Sequence, residues 1–126
     1  MTDKKIIASY LATLFFHVAH VFEETWGHFW ILDRVGEGWF LVINLILISF
    51  PLVFFYFILT GRRFGYILGI IYAAFMVLNG LAHNAAVIVT GSYFGGFAGS
   101  LSGIGLIVVG IPAGFYLRKG LPAPGG

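Results

Sequence analysis

The sequence predicts an all-α membrane protein, a bundle of four transmembrane helices. Three observations carry that prediction. Apolar residues make up 60% of the chain, more than a domain of this length can cover in water. They fall into four runs, each with roughly the 20 residues a bilayer requires. The few charged residues lie at the ends of those runs, with one exception near residue 20.

The first span is predicted over about 6–32, because Lys4 and Lys5 precede it and no further Lys or Arg occurs before Arg34. A basic start and an apolar run also open secretory signal peptides, but those end in small residues at a cleavage site. Here His17-Val-Ala-His20 and Glu23-Glu24 follow, so the run reads as a retained span. Asp33 to Gly38 is a polar turn framed by Trp30 and Trp39, as in the aromatic belt of a membrane–water boundary. The second span, 39–59, is interrupted by Asn44, Ser49 and Pro51, and its proline should kink the helix unless neighbours satisfy the freed carbonyl. Thr60-Gly61-Arg62-Arg63 turns into the third span, 64–90, which carries Asn79, His83 and Asn84. A glycine-rich turn over 91–96 leads to the fourth, 97–117, closed by Arg118 and Lys119. The membrane domain is therefore 1–119, and 120–126, rich in Pro and Gly, is expected to be a disordered tail.

Four crossings put Lys4/Lys5, Arg62/Arg63 and Arg118/Lys119 on one side, which the positive-inside rule assigns to the cytoplasm together with both termini. These cations mark segment ends and form no patch for nucleic acid. Gly95, Gly99 and Gly103, then Gly110 and Gly114, recur every four residues, and such rows let helices approach closely in lipid. Packing within the bundle is the first use of that row, and a homodimer interface through span four is the second. Without cysteine, disulfides and thiolate metal sites are excluded.

The exception among the charges is His17-Val-Ala-His20-Val-Phe-Glu23-Glu24-Thr25-Trp26-Gly27-His28. On one helix at 100° per residue, His17, His20, Glu24 and His28 fall within about 80° of one another, and Glu23 lies about 60° beyond His20. Ionisable groups that deep in a bilayer cost several kcal/mol each, on the order of 3 even on lenient scales, and need a cation, a proton, a partner or a wet cavity. Counting from the end of each span that carries the basic pairs, Asn79 comes level with His20 and His83 with Glu24, so span three is the expected second wall. Imidazoles and a carboxylate at these spacings suit Zn, Fe or Mn. The ligands expected are His17, His20, Glu24 and His83, with Asn79 and His28 as second-rank candidates. One ligand-rich helix supports one metal better than two, and the H-E-x-x-H pattern of zinc proteases is absent. The plainest alternative is that His–Glu hydrogen bonds merely fasten span one to span three.

At His20-Val-Phe-Glu23-Glu24 the chain resembles the family of small, mainly bacterial membrane proteins named for the H-x-x-E-E motif. Asn79-x-x-x-His83-Asn84 falls where a second polar motif of that family is expected. The resemblance implies a small helical membrane protein, with a bacterial inner membrane as its location, and no particular reaction. A fainter similarity to intramembrane proteases that cleave after prenylated cysteines stops at the paired glutamates: His28 stands where those have Arg, and half their spans are missing.

Function is expected to follow from the buried cluster. In the first reading the protein is an enzyme whose metal activates water or oxygen toward a lipid-soluble substrate, hydrolase- or oxygenase-like, with Glu23 as general base. A metal-free variant isomerises or cyclises an isoprenoid with a buried glutamic acid as proton donor. The rival class is a small proton- or metal-linked transporter subunit. Haem ligation by His17 or His20 with His83 is disfavoured by the carboxylates on the same face.

Overall fold

Asp3 starts the first helix, its side chain accepting a hydrogen bond from the Lys5 amide at 2.9 Å and so satisfying a donor that no helical carbonyl can reach. The computed structural model describes residues 2–124. It consists of α1 (Lys4–Trp26), α2 (Leu32–Val35), α3 (Glu37–Leu59), α4 (Arg63–Thr90), an irregular turn (Tyr93–Phe97) and α5 (Ser100–Lys119). Helices α1, α3, α4 and α5 are each long and apolar enough to cross a membrane, and no strand occurs among the described residues. The protein is an all-α, four-helix membrane bundle.

The bounds of α3, α4 and α5 lie close to those the hydropathy pattern predicts, but the first span is shorter. It ends at Trp26, not at residue 32. Gly27 presses so near the segment before α5 that a Cβ there would lie 2.3 Å from the Cβ of Ala98, and His28 adopts a φ of 53° that no helix continues through. The apolar pattern runs on past this break because Phe29 and Leu32 fold back and bury with Val21 and Phe40. Hydropathy records burial, and here burial outlasts the helix.

Helices α4 and α5 form the tight pair of the bundle. A Cβ on Gly80 would fall 2.3 Å from the carbonyl oxygen of Gly103, and one on Gly110 would fall 2.7 Å from Val77. Gly105 accommodates the ring of Phe16 from α1. These close approaches are what small residues permit between membrane helices, so the glycines expected to serve packing or a homodimer are used within the chain at these positions. Asn84 adds a bond between α4 and α5, donating to the Ser100 carbonyl at 2.9 Å. By contrast Asn44 and Ser49 donate only to carbonyls of their own helix, those of Phe40 and Ile46.

Helix α3 lies at the edge. Only 17% of its most apolar stretch is buried, against 33% to 39% in the other three. It runs on through Pro51, whose carbonyl accepts from the Tyr10 hydroxyl at 2.8 Å, while Tyr10 stacks on Phe55. Tyr10 thus pins α3 to α1 near the end that carries both termini. At that end Thr2 donates to the Ile58 carbonyl and Lys5 lies over the ring of Tyr116. All Lys and Arg except Arg34 belong to this end. The opposite end carries Asp33, Arg34 and Glu37 and exposes Trp26, Trp30 and Trp39. The tail expected to be loose is anchored at its start, since Leu121 packs on the core and the Pro122 carbonyl accepts from the Arg63 guanidinium. Residues 125 and 126 of that tail lie outside the described residues.

Candidate metal centre

Two helices bring the central group together. His20 and Glu24 are one turn apart on α1, and His83 faces them from α4. Glu24 Oε1 lies 3.4 Å from His20 Nε2 and 3.2 Å from His83 Nε2. All three side chains are buried, and their candidate ligand atoms lie within 4.8 Å of one another. Such a group can hold a metal ion. The two imidazoles meet edge to face, ring centres 4.6 Å apart, and Phe29 covers His83 from the segment after α1. Asn79, one turn before His83 on α4, donates to His20 Nε2 at 3.0 Å. The register read from the sequence, Asn79 beside His20 and His83 beside Glu24, is the register found.

Hydrogen-bond partners fix the tautomers of both histidines. His83 Nδ1 faces only an acceptor, the Phe97 carbonyl at 3.4 Å, so it carries the proton and Nε2 is bare. His20 Nδ1 lies 2.9 Å from Ser102 Oγ. The single hydroxyl proton of Ser102 goes to Glu23 Oε2, its nearest acceptor, which leaves His20 Nδ1 to donate to Ser102 and His20 Nε2 bare as well. The unprotonated His83 Nε2 therefore faces Glu24 Oε1, and the unprotonated His20 Nε2 lies near the same oxygen while accepting from Asn79. Outer partners that orient ligating imidazoles in this way are a regular part of metal sites.

Glu23, the residue expected as general base, turns toward α5. Its carboxylate sits at the start of α5, accepting from the Leu101 amide at 3.0 Å and the Ser102 amide at 2.6 Å as well as from the Ser102 hydroxyl. A helix N-terminus with free amides is where a carboxylate is well held. The Tyr93 hydroxyl donates to the same carboxylate at 2.5 Å. Burial, and then the Glu23 carboxylate, push the Tyr93 phenol up to about 12. Through the Ser102 hydroxyl, Glu23 is linked to His20 Nδ1.

Two other expected ligands stand apart from the central group. His17 is buried, but its Nδ1 lies 3.1 Å from the Tyr72 hydroxyl. His28 lies beyond the end of α1, exposed, because the helix that would have aligned it has stopped. The contribution of α5 was missing from the sequence reading. Gly99, at φ +113°, brings the start of α5 so close that a Cβ would lie 2.6 Å from His20 Cε1 and 2.8 Å from His83 Nδ1. Its one sequence signal, the run Gly-Ser-Leu-Ser opening span four, reads equally well as a packing row.

Compared with known proteins, the chain matches no protein-family model, no curated protein and no solved structure. Function is therefore argued from this geometry.

Proposed function

We propose that this is a metal-dependent membrane enzyme acting on a lipid-soluble substrate, with His20, Glu24 and His83 as the metal ligands. The observation that carries the proposal is the gathering of three buried potential ligand atoms, Glu24 Oε1 and two unprotonated Nε2 atoms whose Nδ1–H groups donate elsewhere; a bound ion would take the His20 lone pair that now accepts from Asn79. The unprotonated His83 Nε2 facing the Glu24 carboxylate is repulsive unless a cation lies between them. The two separations from Glu24 support a metal over a shared proton. Charge-assisted N–H···O bonds are about 2.7–2.9 Å, shorter than either contact, whereas neighbouring ligands of a tetrahedral ion with bonds of about 2.0–2.1 Å are about 3.3 Å apart.

Two imidazoles and a carboxylate form the donor set of hydrolytic Zn sites and of non-haem Fe oxygenases, both of which keep positions open for substrate. A cavity of about 250 Å³ adjoins the group and is lined by His20, Glu24 and Asn79 together with apolar residues such as Phe40, Ile43 and Met76. Lipid-soluble reactants fit such walls. A metal there supplies Lewis acidity or an activated water; the chain supplies orientation through Ser102, Glu23 and Phe97, and Asn79 offers the amide nearest the open side. Membership of the H-x-x-E-E family is proposed on His20, Glu23 and Glu24, and a cytoplasmic location of the basic end on the positive-inside rule.

Elemental analysis of detergent-purified protein tests the proposal. Wild-type protein should carry about one divalent ion per chain, and Glu24→Gln and His83→Ala should carry none, because a neutral amide and a methyl group are poor ligands. Asn84→Ala, which removes a helix–helix bond and no ligand, should retain the ion. Added metal should raise the melting temperature of wild type and leave that of Glu24→Gln unchanged. Wild type that takes up no metal from Zn, Fe or Mn would transfer the site to the proton-driven isomerase or cyclase reading.

A further inference from the structure

His17 differs from the two metal-facing histidines in a way that assigns it another task. Its Nδ1 lies beside the Tyr72 hydroxyl, and that hydroxyl has no other hydrogen-bond partner among the described residues. With the Tyr72 hydroxyl as donor to His17 Nδ1, the imidazole proton lies on Nε2 and faces the cavities that His17 lines. That tautomer is the opposite of the one assigned to His20 and His83. His17 Nε2 itself has no hydrogen-bond partner, although the residue is only 6% exposed. No fully enclosed side-chain nitrogen without a partner occurs among the described residues, so this ring nitrogen opens on a cavity.

Two cavities meet at His17. One is the polar cavity beside the metal centre. The other, of about 280 Å³, is a groove between α3 and α4 walled by Leu47, Phe50 and Phe54 from one helix and Leu68, Ile71 and Phe75 from the other. His17, Leu47, Phe75 and Met76 line both, so the groove continues into the site. No Lys, Arg, Asp or Glu lines the groove. Its only polar side chains are those of His17 and Tyr72, both at the wall facing α1.

We infer that the groove between α3 and α4 receives the hydrocarbon chain of the substrate, and that the His17 Nε2–H, held by Tyr72, binds an acceptor oxygen of its head. The substrate class is then a long-chain lipid whose head is an uncharged carbonyl, ester or ether-type oxygen. The chain lies between α3 and α4, and the head reaches the space beside Glu24. This inference rests on the lipid-substrate reading of the site but not on its metal, since neither His17 nor the groove contributes a ligand.

Two photo-crosslinking probes test it on chelator-treated protein in nanodiscs, so that the outcome is independent of metal content. One is a long-chain methyl ketone with a diazirine near the far end; the other is the matching alkane without the ketone. The ketone should label wild type about three- to tenfold more than the alkane, the worth of one hydrogen bond to a buried donor. The labelled peptides should contain residues 47–54 and 68–75. His17→Phe should bring the two probes level while leaving alkane labelling in place, and Leu68→Trp, which fills the groove, should reduce both. Equal labelling of wild type by the two probes would overturn the inference, as would a ketone preference that survives His17→Phe. Where His17→Phe does not fold, Tyr72→Phe gives the same decision, because without the tyrosine proton the tautomer is no longer fixed and the preference should fall. Loss of metal binding with the ketone preference intact would count against the metal alone.

Discussion

His83 Nε2 stands 3.2 Å from Glu24 Oε1, and the contact joins two helices that run in the same direction from the basic end of the bundle. Because α1 and α4 start at that end, equal counts along them reach equal depth at about 1.5 Å per residue. That is why the pairing of His83 with Glu24 was legible from residue numbers. Glu24 lies within one turn of the end of α1, so it is burial, with all three side chains closed off, that makes an uncompensated charge costly there. Compensation by a cation is the chemistry from which the metal proposal follows.

Gly99→Ala should abolish metal binding and lower stability by about 1–3 kcal/mol, the usual range for overpacking. The added methyl would meet both imidazoles at under 3 Å, and the backbone there has φ +113°. Gly36→Ala is the matched control. Gly36 also has positive φ, at +80°, but open space around it, so only the backbone cost of about 1 kcal/mol remains. Thermal melts together with metal content distinguish the two variants. Full metal occupancy in Gly99→Ala would contradict the placement of α5 against the site.

Ser102→Ala removes the link between Glu23 and His20 and leaves every proposed ligand in place. Loss of such an orienting partner should weaken metal affinity about 10- to 100-fold, and Ser102→Thr, which keeps the hydroxyl, should recover most of it. Glu23→Gln should weaken affinity in the same direction and also loosen the start of α5, at a cost of about 1 kcal/mol typical of a lost helix cap. Competition with a chelator of known affinity measures the first effect and a denaturation midpoint the second. Unchanged metal affinity in both Ser102→Ala and Glu23→Gln would remove the orienting role.

Single cysteines at Thr60 and Ser92 should label from opposite faces of the membrane with an impermeant thiol reagent, since one lies in the α3–α4 turn at the basic end and the other follows α4 at the far end. Thr60 should be protected in intact cells and Ser92 accessible, by the positive-inside rule. Labelling of both from one face would contradict the four-span arrangement.

The sequence carried the bundle and the central triad because both depend on quantities that residues state directly, run length and helical phase. It also located Glu23 off the main stripe, about 60° from His20. What faces that direction depends on which helix packs there, and no spacing on α1 announces that the neighbour is the N-terminus of α5. His28 was misplaced for a related reason. Helical phase extends only as far as the helix, and the apolar residues after Gly27 gave no sign that α1 ends there. His17 shared the stripe with the ligands, yet Tyr72 on α4, unremarked in the sequence, claims its Nδ1 and gives it a proton on the other side of the ring. In each case the deciding partner lies on another helix.

The weak burial of α3 has a consequence for how the proposed enzyme would be measured. Leu47, Phe50, Ile71 and Phe75, which wall the groove, are also exposed on the outside of the bundle, so the groove opens sideways. A reactant arriving by this route never passes through water, and the quantity that sets its encounter rate is its mole fraction among the surrounding lipids. Diluting the assay with buffer would then leave turnover per protein unchanged, whereas diluting the bilayer with inert lipid would lower it in proportion.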